Sequence, residues 1–176
     1  MIIPDDVAML VIAIHAAPHR LVLAFAGAGS LGLAWLHAVA GSSRTVLEAI
    51  DAYSAQSRQS LTGVINAPAV SAVTAQAMAT WAYRRAQSLS DGAWPLLGVG
   101  LTAAIATDRE RRGADRAFLA IQSAVGVQTA HLTMTRDQQR IDQEMLVSRW
   151  LINEIARACG IGAEETKACQ QCPQDS

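Results

Sequence analysis

Residues 20–26 (RLVLAFA) form an unbroken apolar run of strand length, and Gly27-Ala28-Gly29-Ser30 follows at once. A strand with apolar side chains on both faces must be covered on both faces. Helix-forming sequence resumes at Leu31, so the segment reads as strand, glycine turn, helix. A chain built on such a unit is of the α/β class, with a mostly parallel or mixed central sheet flanked by helices.

The rest of the sequence fits that reading. Pro4-Asp5-Asp6 suits a helix start, with the short carboxylates near free N–H groups, and a helix is expected over 5–16. Helices are predicted over 31–40, from about Val70 to Leu89, and over 136–158. Ser30 is expected to cap the first of these. Residues 96–103, 117–123 and 128–135 read as strands, the last with threonines suited to a half-exposed edge. Residues 44–52 (RTVLEAIDA) are ambiguous, because Leu, Glu and Ala favour helix. Ile141, Met145, Ser148, Ile152 and Ile155 mark the expected buried stripe of the last helix.

The 176 residues suit a single domain, read as 1–160 followed by a polar tail over 161–176. The chain is 51% hydrophobic and only 16% charged. A membrane protein is excluded, because the longest apolar run, Val7 to Ile14, is far short of the ~20 residues of a spanning helix. The apolar bias instead points to a homo-oligomer. A net charge of −1 gives no general attraction to nucleic acid. Three cysteines, an odd number at one end of the chain, and acids where a secretory leader would be basic point to the cytoplasm.

Four segments carry residues suited to chemistry. In Gly27 to Ser30, glycines allow close backbone approach, and the following helix aims N–H groups and its positive end at an anion. The alternative is a connection that merely needs small residues. Ser42, Ser43, Tyr53 and Arg58 follow, with Tyr53 either a proton-transfer group or a packed strand-end tyrosine. Thr102 ends a strand beside small residues, as a cavity wall would. Arg109 and Arg112 lie in the dense charge run 108–115, where they either clamp a phosphate or form a solvated loop balanced by acids. Cys169 and Cys172 offer two thiolates where zinc wants four ligands, so no metal and no cofactor are expected. The four histidines show no ligand spacing and read as packed or surface groups.

Taken in order, the segments AFAGAGSLG, AGSSRTVLEAIDAYSAQSR, VGLTAAIATDR, GADRAFLAI and TRDQQRIDQEMLVSRWLINEI resemble the CinA C-terminal family of nicotinamide-nucleotide amidase-like domains. The resemblance covers about residues 21–159. It implies a strand over about 49–53 and an amidohydrolase acting on nicotinamide mononucleotide or a related nucleotide. It also implies a site combining a glycine-loop serine, a tyrosine, a lysine and a threonine. Tyr53 and Thr102 match. The lysine position holds Arg58, which stays protonated and cannot serve as a base. An ungapped count back from Ser42 and Ser43 puts Ala26 at the serine position, leaving Ser30 as the substitute nucleophile. Two functions follow: a hydrolase using Ser30, Tyr53 and Thr102, or a non-catalytic nucleotide- or phosphate-binding module. In the second, Gly27, Gly29, Ser42, Ser43, Arg58, Arg109 and Arg112 contact the ligand.

Overall fold

A computed structural model describes residues 3–108 and 113–162. Arg109, Arg112, Cys169 and Cys172 lie outside the described residues. Five strands form one mixed sheet in the order β2-β1-β3-β4-β5. β1 (Arg20–Ala26), β2 (Val46–Asp51) and β3 (Leu96–Ala104) run parallel, whereas β4 (Asp115–Ser123) and β5 (Gly126–Met134) add antiparallel.

The alternation of β1 explains its continuous apolar run. Leu21, Leu23 and Phe25 face a layer made by α1 (Asp5–Ala16), α2 (Ser30–Ala38) and α6 (Arg140–Ala158). Val22, Ala24 and Ala26 face α5 (Ala72–Leu89) on the other side. β3 divides the same way. Leu97, Val99 and Leu101 join the first layer. A side chain at Gly98 or Gly100 would strike the α5 backbone, with Tyr83 N and Ala75 O each 2.2 Å from the added carbon. Alanines at 75, 79, 82 and 86 complete this small-residue contact, which brings α5 close enough to exclude water. Between β2 and α5 lies α4 (Ala55–Thr62), with no buried residue. The short α3 (Ser42–Thr45) precedes β2.

Three expectations change, and one ambiguity is resolved. Of the two readings open for 44–52, residues 46–51 are strand, because pairing with β1 outweighs local helix propensity. The last helix starts at Arg140 and buries Gln143, Val147, Ser148, Leu151, Ile152 and Ile155, while Ile141 and Met145 are exposed. Gln143 faces inward because its amide is fully used: it accepts from Ala106 N (2.6 Å) and donates to Asp115 Oδ2 (3.0 Å) and Thr135 O (2.9 Å). Gly29, not Ser30, is the N-cap of α2. Pro4 is the N-cap of α1 and gives it no side-chain cap, while Asp5 and Asp6 sit in the first turn; Asp6 accepts from Arg149 on α6.

Candidate functional site

Three parallel strands end at one edge of the sheet, and the turns after them meet there. Chain reversals at the carboxyl ends of parallel strands are where α/β proteins place ligands. Ala26 pairs with Thr102 across β1 and β3. Gly27 then turns with φ +91°, and a Cβ there would lie 2.0 Å from Ala103 O. Only glycine allows this approach. β2 leads to Asp51 and Tyr53 at the same edge.

Two cavities open here, one on each side of the sheet. The first, on the α5 side, has a volume of about 220 Å³ and is lined by Ala26, Gly27, Tyr53, Arg58, Val70 and Ala104, among others. Arg58 Nη1 donates to Ala52 O (3.2 Å) and Tyr53 O (2.5 Å), which fixes the guanidinium over the end of β2. Thr102, paired with Ala26, is fully buried and does not itself line the cavity. Its Oγ1 is buried and has no hydrogen-bond partner among the described residues. A buried hydroxyl without a partner is costly, so it calls for an explanation at this position.

The second cavity, about 100 Å³, is lined by Phe25, Ala28, Ser30, Asp51, Arg140 and Glu144, with Gly27 and Tyr53 shared between the two. Here the positive end of α2 is already occupied. The Glu144 carboxylate accepts from Gly29 N (3.0 and 3.2 Å to its two oxygens) and from Leu31 N (3.0 Å). It also accepts from Ser30 Oγ (2.9 Å) and Ser148 Oγ (3.2 Å). This is an anion seated at a helix N-terminus, supplied by the protein itself. The donors expected to greet a ligand at Gly27 to Ser30 are spent on Glu144. Burial, and then the Glu144 charge, hold the Asp51 carboxyl above its ordinary value.

The expected site residues therefore separate. Gly27, Tyr53 and Arg58 converge with Ala26, and Thr102 lies against them. Gly29 and Ser30 belong to the Glu144 cluster on the other face. Ser42 and Ser43 are not brought to this edge. They precede β2 at the opposite end of the sheet, where Ser42 Oγ bonds His37 Nδ1 (2.7 Å). His15 is also there, buried between Leu36 O (2.9 Å) and Thr45 Oγ1 (2.8 Å). Leu36 O only accepts, so His15 Nε2 carries the proton and Nδ1 takes the Thr45 hydroxyl.

Glu144, Asp51 and Arg140 are absent from the sequence-based set. One signal was present: counting back four from Ser148 along the buried stripe reaches Glu144. The apolar Met145, three residues back, drew the stripe instead.

This architecture defines a class. The chain has the fold of the competence/damage-inducible (CinA) superfamily. It is similar to the competence/damage-inducible protein CihA from Agrobacterium tumefaciens, at 23% identity over 91% of this chain and 99% of that one, with a TM-score of 0.72. A competence or damage-inducible protein from Enterobacter asburiae aligns over 87% of this chain and 98% of its own, at 15% identity and TM-score 0.71. A CinA superfamily protein from Klebsiella pneumoniae gives 16%, 88%, 96% and 0.70. No family model matches the sequence, and neither does any curated protein. Among the described residues no helix is long and apolar enough to cross a membrane.

Proposed function

We propose that this chain is a non-hydrolytic binding module for a small phosphate-bearing nucleotide, using the cavity between Ala26, Tyr53, Arg58 and Val70. The observation that carries this reading is the Ala26–Thr102 pair. At the point where a nucleophile would stand beside the Thr102 hydroxyl, the chain presents a methyl group. Arg58 supplies a fixed positive charge for a phosphate but no base. Ser30, the remaining serine at the glycine turn, gives its hydroxyl to Glu144 on the other face. The cavity is smaller than the ~300 Å³ at which ligand sites usually begin. It therefore suits a phosphate or a small ring, with the rest of the nucleotide lying across the exposed Tyr53.

The test uses the purified chain with nicotinamide mononucleotide, its nicotinic acid counterpart, AMP and inorganic phosphate. A ligand selective for the native state raises the melting temperature. The expected result is stabilisation by at least one nucleotide, lost in Arg58→Gln, with no ammonia released from nicotinamide mononucleotide. Indifference to all four overturns the binding reading. Steady ammonia release overturns its non-hydrolytic part and favours the amidohydrolase, the reading supported by the gathering of Tyr53, Arg58 and Thr102 at one edge.

We also propose that the chain acts in the cytoplasm as a homo-oligomer. Met9, Ile12, Ile141, Met145 and Leu146 are exposed on the paired helices α1 and α6, an apolar face that suits a subunit contact. Light scattering that gives a monomer mass at working concentration refutes the oligomer.

A further inference from the structure

A cavity larger than those two lies at the other end of the sheet, away from the strand carboxyl ends. It measures about 520 Å³ and is lined by His15, Ala17, Pro18, Arg20, Arg44 and Trp94, among others. That volume falls within the range of small-molecule sites. Two guanidiniums face it, and neither meets a carboxylate among the described residues. Arg20 stacks on Trp94, with Cζ 4.5 Å from the ring centroid. Stacking uses the guanidinium's flat face and leaves its in-plane N–H groups available to an anion. Arg44 is held differently. Its Nε donates to His15 O (3.3 Å), and its Nη2 lies so close over Gly41 that a Cβ there would be 2.6 Å away. The two terminal nitrogens of a fixed fork then remain for a bidentate partner.

The surroundings do not cancel this charge. The negative end of α1 is nearby, but Ala13 O and Ile14 O both accept from Ala17 N, and His15 O accepts from Arg44. Asp91, the acid closest in sequence to Trp94, turns Oδ1 to Ala93 N (3.3 Å). Ala16, Ala17 and Pro18 give an apolar wall beside the cations, and Trp94 is 41% exposed.

We infer that this cavity is a second ligand site, separate from the Ala26–Arg58 cavity, which takes an aromatic phosphate monoester. The phosphate lies between Arg20 and Arg44, and the ring rests on Pro18 and the exposed edge of Trp94. An unpaired pair of fixed guanidiniums beside an exposed indole is the combination that such a ligand satisfies and that folding alone leaves unused.

The experiment is a titration of the ¹⁵N-labelled full chain with phenyl phosphate and with AMP, following the Trp94 indole N–H and the Gly41 amide. Both resonances should move with either ligand. Arg20→Gln should weaken the binding read at Trp94 by about tenfold or more, since a charged hydrogen-bonding partner is lost. Among the described residues Arg20 makes no side-chain hydrogen bond, so this variant tests the ligand rather than folding; Arg44→Lys, which keeps the charge, should lose less. Arg58→Gln should leave the Trp94 titration unchanged, which separates this site from the nucleotide-binding proposal above. The inference is overturned if Trp94 and Gly41 stay still with both phosphates. It is also overturned if adenosine moves them as much as AMP does, or if Arg20→Gln titrates as the parent chain does.

Discussion

The two cavities that share Gly27 and Tyr53 are built from the same strand ends, yet they treat negative charge in opposite ways. On the α6 side, Glu144 fills the N-terminus of α2 and meets Asp51, so the charge is internal and acidic. On the α5 side, Arg58 is pinned by backbone carbonyls and the Thr102 hydroxyl is buried without a partner among the described residues. The difference shows that a glycine turn at a helix start does not by itself make a ligand site. A long-range carboxylate can complete such a turn, after which it acts as a structural clamp between α2 and α6. The side where no such carboxylate lines the cavity is the side for which binding is proposed.

The largest expected effect comes from the corner the cavities share. Gly27→Ala places a methyl 2.0 Å from Ala103 O at a backbone φ of +91°. Neither atom is the flexible end of a side chain, so β1 and β3 must part. A loss of about 4 kcal/mol or more is expected, seen as a collapse of the denaturant midpoint or failure to obtain folded protein. A Gly27→Ala chain that melts like the parent would show that this corner is looser than described.

Glu144→Ala comes next. It strips the partner from Gly29 N and Leu31 N, which water reaches only in part, and from the exposed Ser30 Oγ. The expected cost is about 3 kcal/mol, or roughly 6–12 °C in melting temperature for a chain of this size. The sharper readout is rescue. Sulfate or phosphate should stabilise Glu144→Ala more than the parent, because the vacated helix end then takes an external anion. Equal stabilisation of both would mean that the clamp is not what keeps anions out.

That clamp also marks the limit of what was legible in the sequence. The unbroken apolar runs of 20–26 and 96–103 reveal strands because burial on both faces leaves a local trace. The helices over 5–16 and 72–89 leave one too. Residues 46–51 carry helix-forming Leu, Glu and Ala, and only pairing with β1 makes them a strand. Ser42 and Ser43 read as ligand groups by their order in the chain, yet a full strand length separates them from Tyr53. Glu144 lies 115 residues from Gly29, and no local pattern links a helix-face glutamate to a distant turn. Tyr53 and Arg58 were legible as a pair because they are close in sequence.

Arg58→Gln probes the other cavity with a smaller effect. Removing the bonds to Ala52 O and Tyr53 O should cost about 1 kcal/mol, roughly 2–4 °C. Nucleotide stabilisation should vanish while sulfate rescue of Glu144→Ala persists. Loss of both together would mean that the two faces are one site.

The smallest effect tests the acidic side by pH. Burial and the Glu144 charge raise the Asp51 pKa in the folded chain above the ordinary value of about 3.8. The folded state thus holds that proton more tightly than the unfolded state does. The stability this confers is fully present below about pH 3.8 and is lost as pH rises through the folded pKa. At neutral pH the ionised Asp51 is therefore a burden, a slight one because solvent reaches its outer side and screens it. Asp51→Asn should melt slightly higher than the parent at pH 7, and the gap should close as both are taken to pH 3. In a Glu144→Gln background the pH 7 gain should shrink, since one of the two causes is gone. A gain that is constant from pH 3 to 7, or indifferent to residue 144, would mean that the carboxylates do not share a field. The acidic character of the α6-side cavity would then be two separate charges rather than one site.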